Sequence, residues 1–122
     1  MADKSMMSMD VMELKIDVAN RFSPFPFGRI SPRDGDFTGE KFRDEVLKPE
    51  LDKLGHGDKL VIDFTGVLVG IGSSFLSEAF GGAIEKGYIS QSRLLDALII
   101  VSDDALHEKA IKKYILEAKK PN

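Results

Sequence analysis

LVIDFTGVLVGIGSSFLSEAFGG, residues 60–82, is the stretch on which the fold turns. Leu60, Val61, Ile62 and Phe64 crowd its start, and with Lys59 they predict a buried strand from Lys59 to Phe64. Gly66, Gly70 and Gly72 then mark a turn. From Ser73 the apolar residues recur at three and four: Phe75, Leu76, Ala79, Phe80, Ala83 and Ile84. That period predicts a helix from about Ser73 to Lys86, with Gly87 as its stop. A strand, a turn and a helix in this order place Ser73 and Ser74 where a helix start aims unsatisfied N–H groups and its positive dipole end.

Working outward, Leu14, Ile16 and Val18 alternate with Glu13, Lys15 and Asp17, which predicts a half-buried strand from Met12 to Ala19. Pro24 and Pro26 cannot donate to a ladder. The segment from Arg21 is therefore expected as a loop or edge, recovering strand character from Phe27 to Ile30. The Pro, Gly and Asp of residues 31–36 predict a turn. Thr38 is a plausible cap for a helix carrying Phe42, Val46, Leu47, Leu51 and Leu54 on one stripe, kinked or split at Pro49. The continuous apolar run from Leu94 to Val101 predicts a strand covered on both faces. A last helix starts near Asp104, capped by Asp103 or Ser102, with Ala110, Ile111, Tyr114, Ile115 and Ala118 inward. The expected order is β-β-α-β-α-β-α, an α/β fold. Its sheet is mixed and mostly parallel, with one antiparallel edge hairpin and helices covering at least one face.

The chain has 122 residues, 43% hydrophobic and 30% charged, with a formal net charge of -3. These values suit one domain, expected over residues 11–118, with a disordered tail at 1–10 and a frayed end at 119–122. The mild acidity argues against a nucleic-acid binder, which usually carries a basic stripe. Zero cysteines exclude a disulfide framework and a thiolate nucleophile. No apolar run reaches the roughly 20 residues of a bilayer span. The first ten residues do not read as a signal peptide. A cytoplasmic protein is the expectation.

Four short motifs then carry a family resemblance: Gly28-Arg29, Arg33-Asp34-Gly35, Thr38-Gly39-Glu40-Lys41-Phe42-Arg43, and Ser74-Phe75-Leu76-Ser77-Glu78-Ala79-Phe80-Gly81. With them the chain resembles an uncharacterised STAS-like domain family, related to bacterial anti-sigma factor antagonists. The resemblance covers about Met12 to Ala118 and implies a STAS-like fold. In those antagonists a strand runs into Asp-Ser-Ser-Gly-Leu-Gly before the second helix. A partner ATPase of the histidine-kinase-like fold phosphorylates a serine of that pair, and binding depends on the phosphorylation state. By that likeness Ser74 matches the phosphorylated serine and Ser73 precedes it. Gly72 stands where the antagonists carry Asp, and Phe75 where they carry Gly.

For the serines, three readings stand: one caps the helix and the other packs small; Ser74 accepts a phosphoryl group or touches a partner; or Gly72, Ser73 and Ser74 bind an anion. Glu78, one turn on, is either a solvated carboxylate or a group that acts as a base or orients a hydroxyl. Arg29, Arg33 and Arg43 lie near Asp34, Asp36 and Glu40 in sequence. They make either an ion-pair network fastening the turn to the first long helix or an arginine site for a partner or phosphate. Phe22, Phe25 and Phe27 either plug the sheet end or dock a partner. No Lys precedes the serines as a Walker loop requires, and no Ser-His-Asp order or cofactor fingerprint stands out. His56 and His107 without cysteine make a poor metal set. Neither an enzyme nor a cofactor is therefore expected. The expected function is a signalling or protein-interaction module, with a histidine-kinase-like ATPase or the regulator it controls as partner. The alternatives are a nucleotide- or small-anion-sensing domain, and a defence- or phage-associated accessory protein that binds a larger enzyme.

Overall fold

Alternating burial along residues 13–17 builds the first strand of a sheet that helices cover on one side. The computed structural model describes residues 11–121, so the expected tail at 1–10 lies outside the described residues. Strand β1 (Glu13–Asp17) runs into one short helical turn, α1 (Val18–Arg21). Helix α2 spans residues 39–53, strand β2 is Lys59–Asp63, and helix α3 spans residues 73–85. Helix α4 (Gln91–Ala97), strand β3 (Leu98–Val101) and helix α5 (Ala105–Glu117) follow. The strand order is β1-β2-β3, with both pairs parallel. Ile16 opposes Ile62, which opposes Ile100, so one sheet face is a continuous apolar strip. Against it pack Phe42, Leu47, Phe75, Phe80, Ile111 and Ile115 from the long helices.

Several expectations are corrected. No strand forms at residues 27–30, and the antiparallel hairpin is absent among the described residues. With two prolines removing donors, Phe27 keeps only one bond across the loop, from its N–H to the Phe37 carbonyl (2.9 Å). The sheet is therefore parallel where a mixed one was expected. The run from Leu94 to Val101 is not all strand. Ser90 accepts the Arg93 N–H and caps α4, whose Leu94 and Ala97 face inward three residues apart, so the strand begins only at Leu98. Asp104, rather than Asp103 or Ser102, caps α5 by accepting the Leu106 N–H at 2.9 Å.

Pro49 does not split α2. The turn before it widens to five-residue spacing, with the Lys48 N–H bonded to the Arg43 carbonyl, and Pro49 enters the next α-helical segment in its first turn. Thr38 caps α2 as expected, accepting the Lys41 N–H. Helix α3 contains a second widened turn, the Gly82 N–H bonding the Ser77 carbonyl. Beyond α5 the chain passes Gly87, where a Cβ would lie 3.3 Å from Pro121. Among the described residues, no helix is long and apolar enough to cross a membrane.

Candidate functional site

Strand β2 delivers the chain to the carboxyl end of the sheet, the usual place for sites in open parallel sheets. There Asp63 folds back on Thr65, accepting its N–H (2.8 Å) and hydroxyl (2.6 Å), and the Phe64 N–H bonds the Val101 carbonyl (2.8 Å). The loop of residues 64–72 then crosses to the Pro-rich segment, where the Leu68 N–H reaches the Pro24 carbonyl (2.8 Å). Phe22 underpins both segments, edge-on to Phe37 at 5.6 Å and 6.3 Å from Phe75. Phe25, Phe27, Phe37, Leu68 and Val69 remain exposed on these two loops, Phe27 and Leu68 at 71%. Of the three phenylalanines in the segment, Phe22 plugs the sheet end while Phe25 and Phe27 stand clear of it.

Gly72, in extended conformation, occupies the cap position of α3, so neither serine caps it. Ser73 and Ser74 are the first two helical residues, Ser73 exposed and Ser74 half-buried. Neither hydroxyl has a hydrogen-bond partner among the described residues. Gly72 lets the chain enter the helix without a side chain, but it leaves the first N–H groups without the cap oxygen that Ser or Asp supplies.

Glu78 is not the solvated carboxylate of the plainer reading. It is half-buried and joins two arginines from different segments: Arg29 Nη1 at 3.3 Å and Arg43 Nη1 at 2.5 Å. Arg43 is only 1% exposed. Its Nε and Nη2 also grip Asp44 as a fork, at 2.8 and 3.2 Å, and Nη1 reaches the Glu78 carbonyl at 3.2 Å. Burial by itself raises the Asp44 pKa, but the hydrogen bonds from Arg43 and Tyr88 and the Arg43 charge outweigh it, holding the carboxyl below its ordinary value. Tyr88 donates to Asp44 at 2.9 Å. A buried arginine so fully engaged acts as a bolt between α2 and α3.

Arg33 turns away from this group and forks onto Asp34, both bonds 3.1 Å. Those bonds, with the backbone N–H groups of Ile30 and Arg29, hold the Asp34 carboxyl well below the usual carboxylate range. Glu40 accepts the Ser31 N–H at 3.1 Å, fastening the turn to α2. The ion pairs of the charged region thus run from Arg29 and Arg43 to Glu78 on α3 or stay within the turn or within α2. A hydrogen bond from Ser31 to Glu40, not an ion-pair network, fastens the turn to α2. The structure joins Arg29 to Glu78 but brings neither Arg29 nor Arg33 into hydrogen bonding with the serines. Among the described residues, no group of three or more His, Asp or Glu is placed to hold a metal ion.

The residue that sequence reasoning undervalued is Arg43, grouped with the turn when it belongs to the helix seam. The signal was present: Phe42-Arg43 sits in one motif and Glu78 in the other, with opposite charges. Gly39 and Gly82 complete that seam. A Cβ on Gly39 would lie 2.5 Å from the Phe75 carbonyl oxygen, and one on Gly82 would lie 2.7 Å from Arg43 Nη1. Phe42 stands 5.7 Å from Phe75 and 6.1 Å from Phe80. The two helix motifs therefore meet each other across one contact.

Comparison with curated proteins and with solved structures gives no match. A family model described as a STAS-like domain of unknown function (DUF4325) matches residues 38–104, from the Thr38 cap through the seam and β3 to the Asp104 cap. The match takes in both motifs that build the seam and just over half of the sequence, so the chain belongs to the family of STAS-like domains of unknown function.

Proposed function

We propose that this STAS-like domain is a non-enzymatic signalling module of the cytoplasm that binds a protein partner through the carboxyl end of its sheet, with Ser74 as a phosphorylation switch. The observation that carries this reading is the pairing, at one end, of two serines without a hydrogen-bond partner among the described residues and exposed apolar loops bearing Leu68, Val69 and Phe27. Such a rim loses water favourably against a partner. A phosphoryl group on Ser74 adds about −2 charge in the first turn of α3. The helix dipole favours that charge within the folded domain. A partner burying the rim would have to desolvate it, which is costly without a paired cation. Phosphorylation would therefore release the partner and leave the fold intact. A kinase-like ATPase, or the regulator it controls, suits this scheme because one protein can both read and modify the serine.

The test is affinity capture from the native host lysate with wild type, Ser74→Ala and Ser74→Asp as baits, read by mass spectrometry. The reading predicts one partner held by wild type and Ser74→Ala and lost from Ser74→Asp. Equal capture by all three removes the switch. An empty capture by all three contradicts the protein partner and favours a small anion at the start of α3.

A further inference from the structure

We infer that β3 is a self-association edge, pairing antiparallel with β3 of a second copy to join two three-stranded sheets into one of six strands. The two edges of this sheet are built differently. On the sheet face away from the helices, edge strand β1 presents Glu13, Lys15 and Asp17. Charged residues of this kind keep an edge from pairing with another chain. Edge strand β3 reads Leu-Ile-Ile-Val, with neither a charge nor a proline. On that same face it presents Ile99 and Val101, each 39% exposed. Among the described residues, nothing pairs with its outer side.

The backbone fixes how a second copy would dock. Val101 accepts from the Phe64 N–H, so the backbone of Val101 points toward β2. By the alternation of a parallel ladder, so does that of Ile99, while the N–H and carbonyl of Ile100 point to the open edge. A twofold axis through Ile100 lets the two Ile100 residues exchange both bonds. Ile99 of each copy then lies opposite Val101 of the other, on the outer face. This register places four apolar side chains, two from each copy, in one cluster that is exposed in the single chain. A mismatched peptide offers no such symmetry, and the self-complementary fit is what selects a second copy. Antiparallel pairing also puts the two sheet carboxyl ends at opposite ends of the assembly. If the partner surface proposed above holds, the dimer is bivalent; the dimer itself does not depend on that reading.

Sedimentation equilibrium of the full chain from micromolar to millimolar concentration tests this. Wild type should dimerise reversibly, and Ile99→Lys should weaken association at least about tenfold, with an unchanged circular dichroism spectrum. Because the chain has no cysteine, a double variant, Ile99→Cys with Val101→Cys, gives a second readout. The predicted register sets each new thiol opposite its mate across a close pair of about 4.5 Å between Cα atoms. Within one strand the two are about 6.7 Å apart, with Cβ atoms too distant to bond. Oxidation should then give a covalent dimer on a non-reducing gel. A monomeric wild type, a dimer indifferent to Ile99→Lys, or the absence of crosslinking would each overturn the inference.

Discussion

Within α3 the residues from Phe75 to Gly82 pack against α2 and α5, whereas at its start Ser73 is exposed and Ser74 half-buried. The enclosed part holds Phe75, Phe80 and the Glu78 bridge to Arg29 and Arg43. The start has a glycine for a cap and two hydroxyls without a hydrogen-bond partner among the described residues. One motif, Ser74 to Gly81, covers both. Phe75, Leu76, Ala79 and Phe80 are buried and Glu78 bridges to two arginines, while Ser74, half-buried, stands at the motif's start. Most of the motif therefore marks the scaffold, and the proposed partner surface meets it only at Ser74.

Removing the Arg43 bolt should give the largest effect. Arg43→Ala leaves Glu78 half-buried without its closest cation and opens a gap at the seam, so it should cost about 3 kcal/mol in urea unfolding. A loss under about 1 kcal/mol would mean that the seam does not depend on this arginine. Gly39→Ala tests how close the helices sit. At this first helical position alanine gains less than the ~1 kcal/mol of a helix interior, and the new Cβ meets a backbone oxygen that cannot turn away, which costs about 1–3 kcal/mol. A net loss of about 1 kcal/mol is expected, and a gain in melting temperature would show that α2 and α3 can separate freely.

The pH dependence tests a carboxylate outside both regions, just before β2. The Met12 and Gly55 N–H groups donate to Asp58 at 2.8 and 2.6 Å and hold its pKa below the usual carboxylate value. A depressed native pKa contributes stability above the unfolded value of about 4, lost as pH falls through the native value. Asp58→Asn should therefore flatten the fall of melting temperature on the acid side; an unchanged acid limb would contradict this. The smallest effect belongs to Ser74→Ala, expected within about 0.5 kcal/mol of wild type. A larger loss would make Ser74 a structural residue and dissolve the comparison.

Much of this fold was legible because its signals are local. The alternation of Leu14 and Ile16, the apolar run at Lys59, the Thr38 cap and the period from Phe75 to Ile84 give the right elements, although Val18 and Ala19, expected in the first strand, form the helical turn α1. The run Leu-Leu-Asp-Ala-Leu-Ile-Ile-Val was not legible, since a buried helix end and a buried strand look alike without a period. Nor was the absent hairpin, where only tertiary contacts decide whether Phe27 finds a partner strand. At the candidate site, the positions of Ser73 and Ser74 at the helix start were readable. The Glu78 bridge was legible only as opposite charges in two motifs, because their meeting depends on how closely Gly39 lets the two helices approach.

The most direct test of the account places a photo-crosslinking amino acid at Leu68, beside the serine end, and in a second protein at Lys112 on α5. Both are exposed to the native host lysate and irradiated. The account predicts one discrete adduct from position 68, abolished when Ser74→Asp is added, and none from position 112. Adducts from position 112 alone, or equal adducts from both that ignore Ser74→Asp, would contradict it.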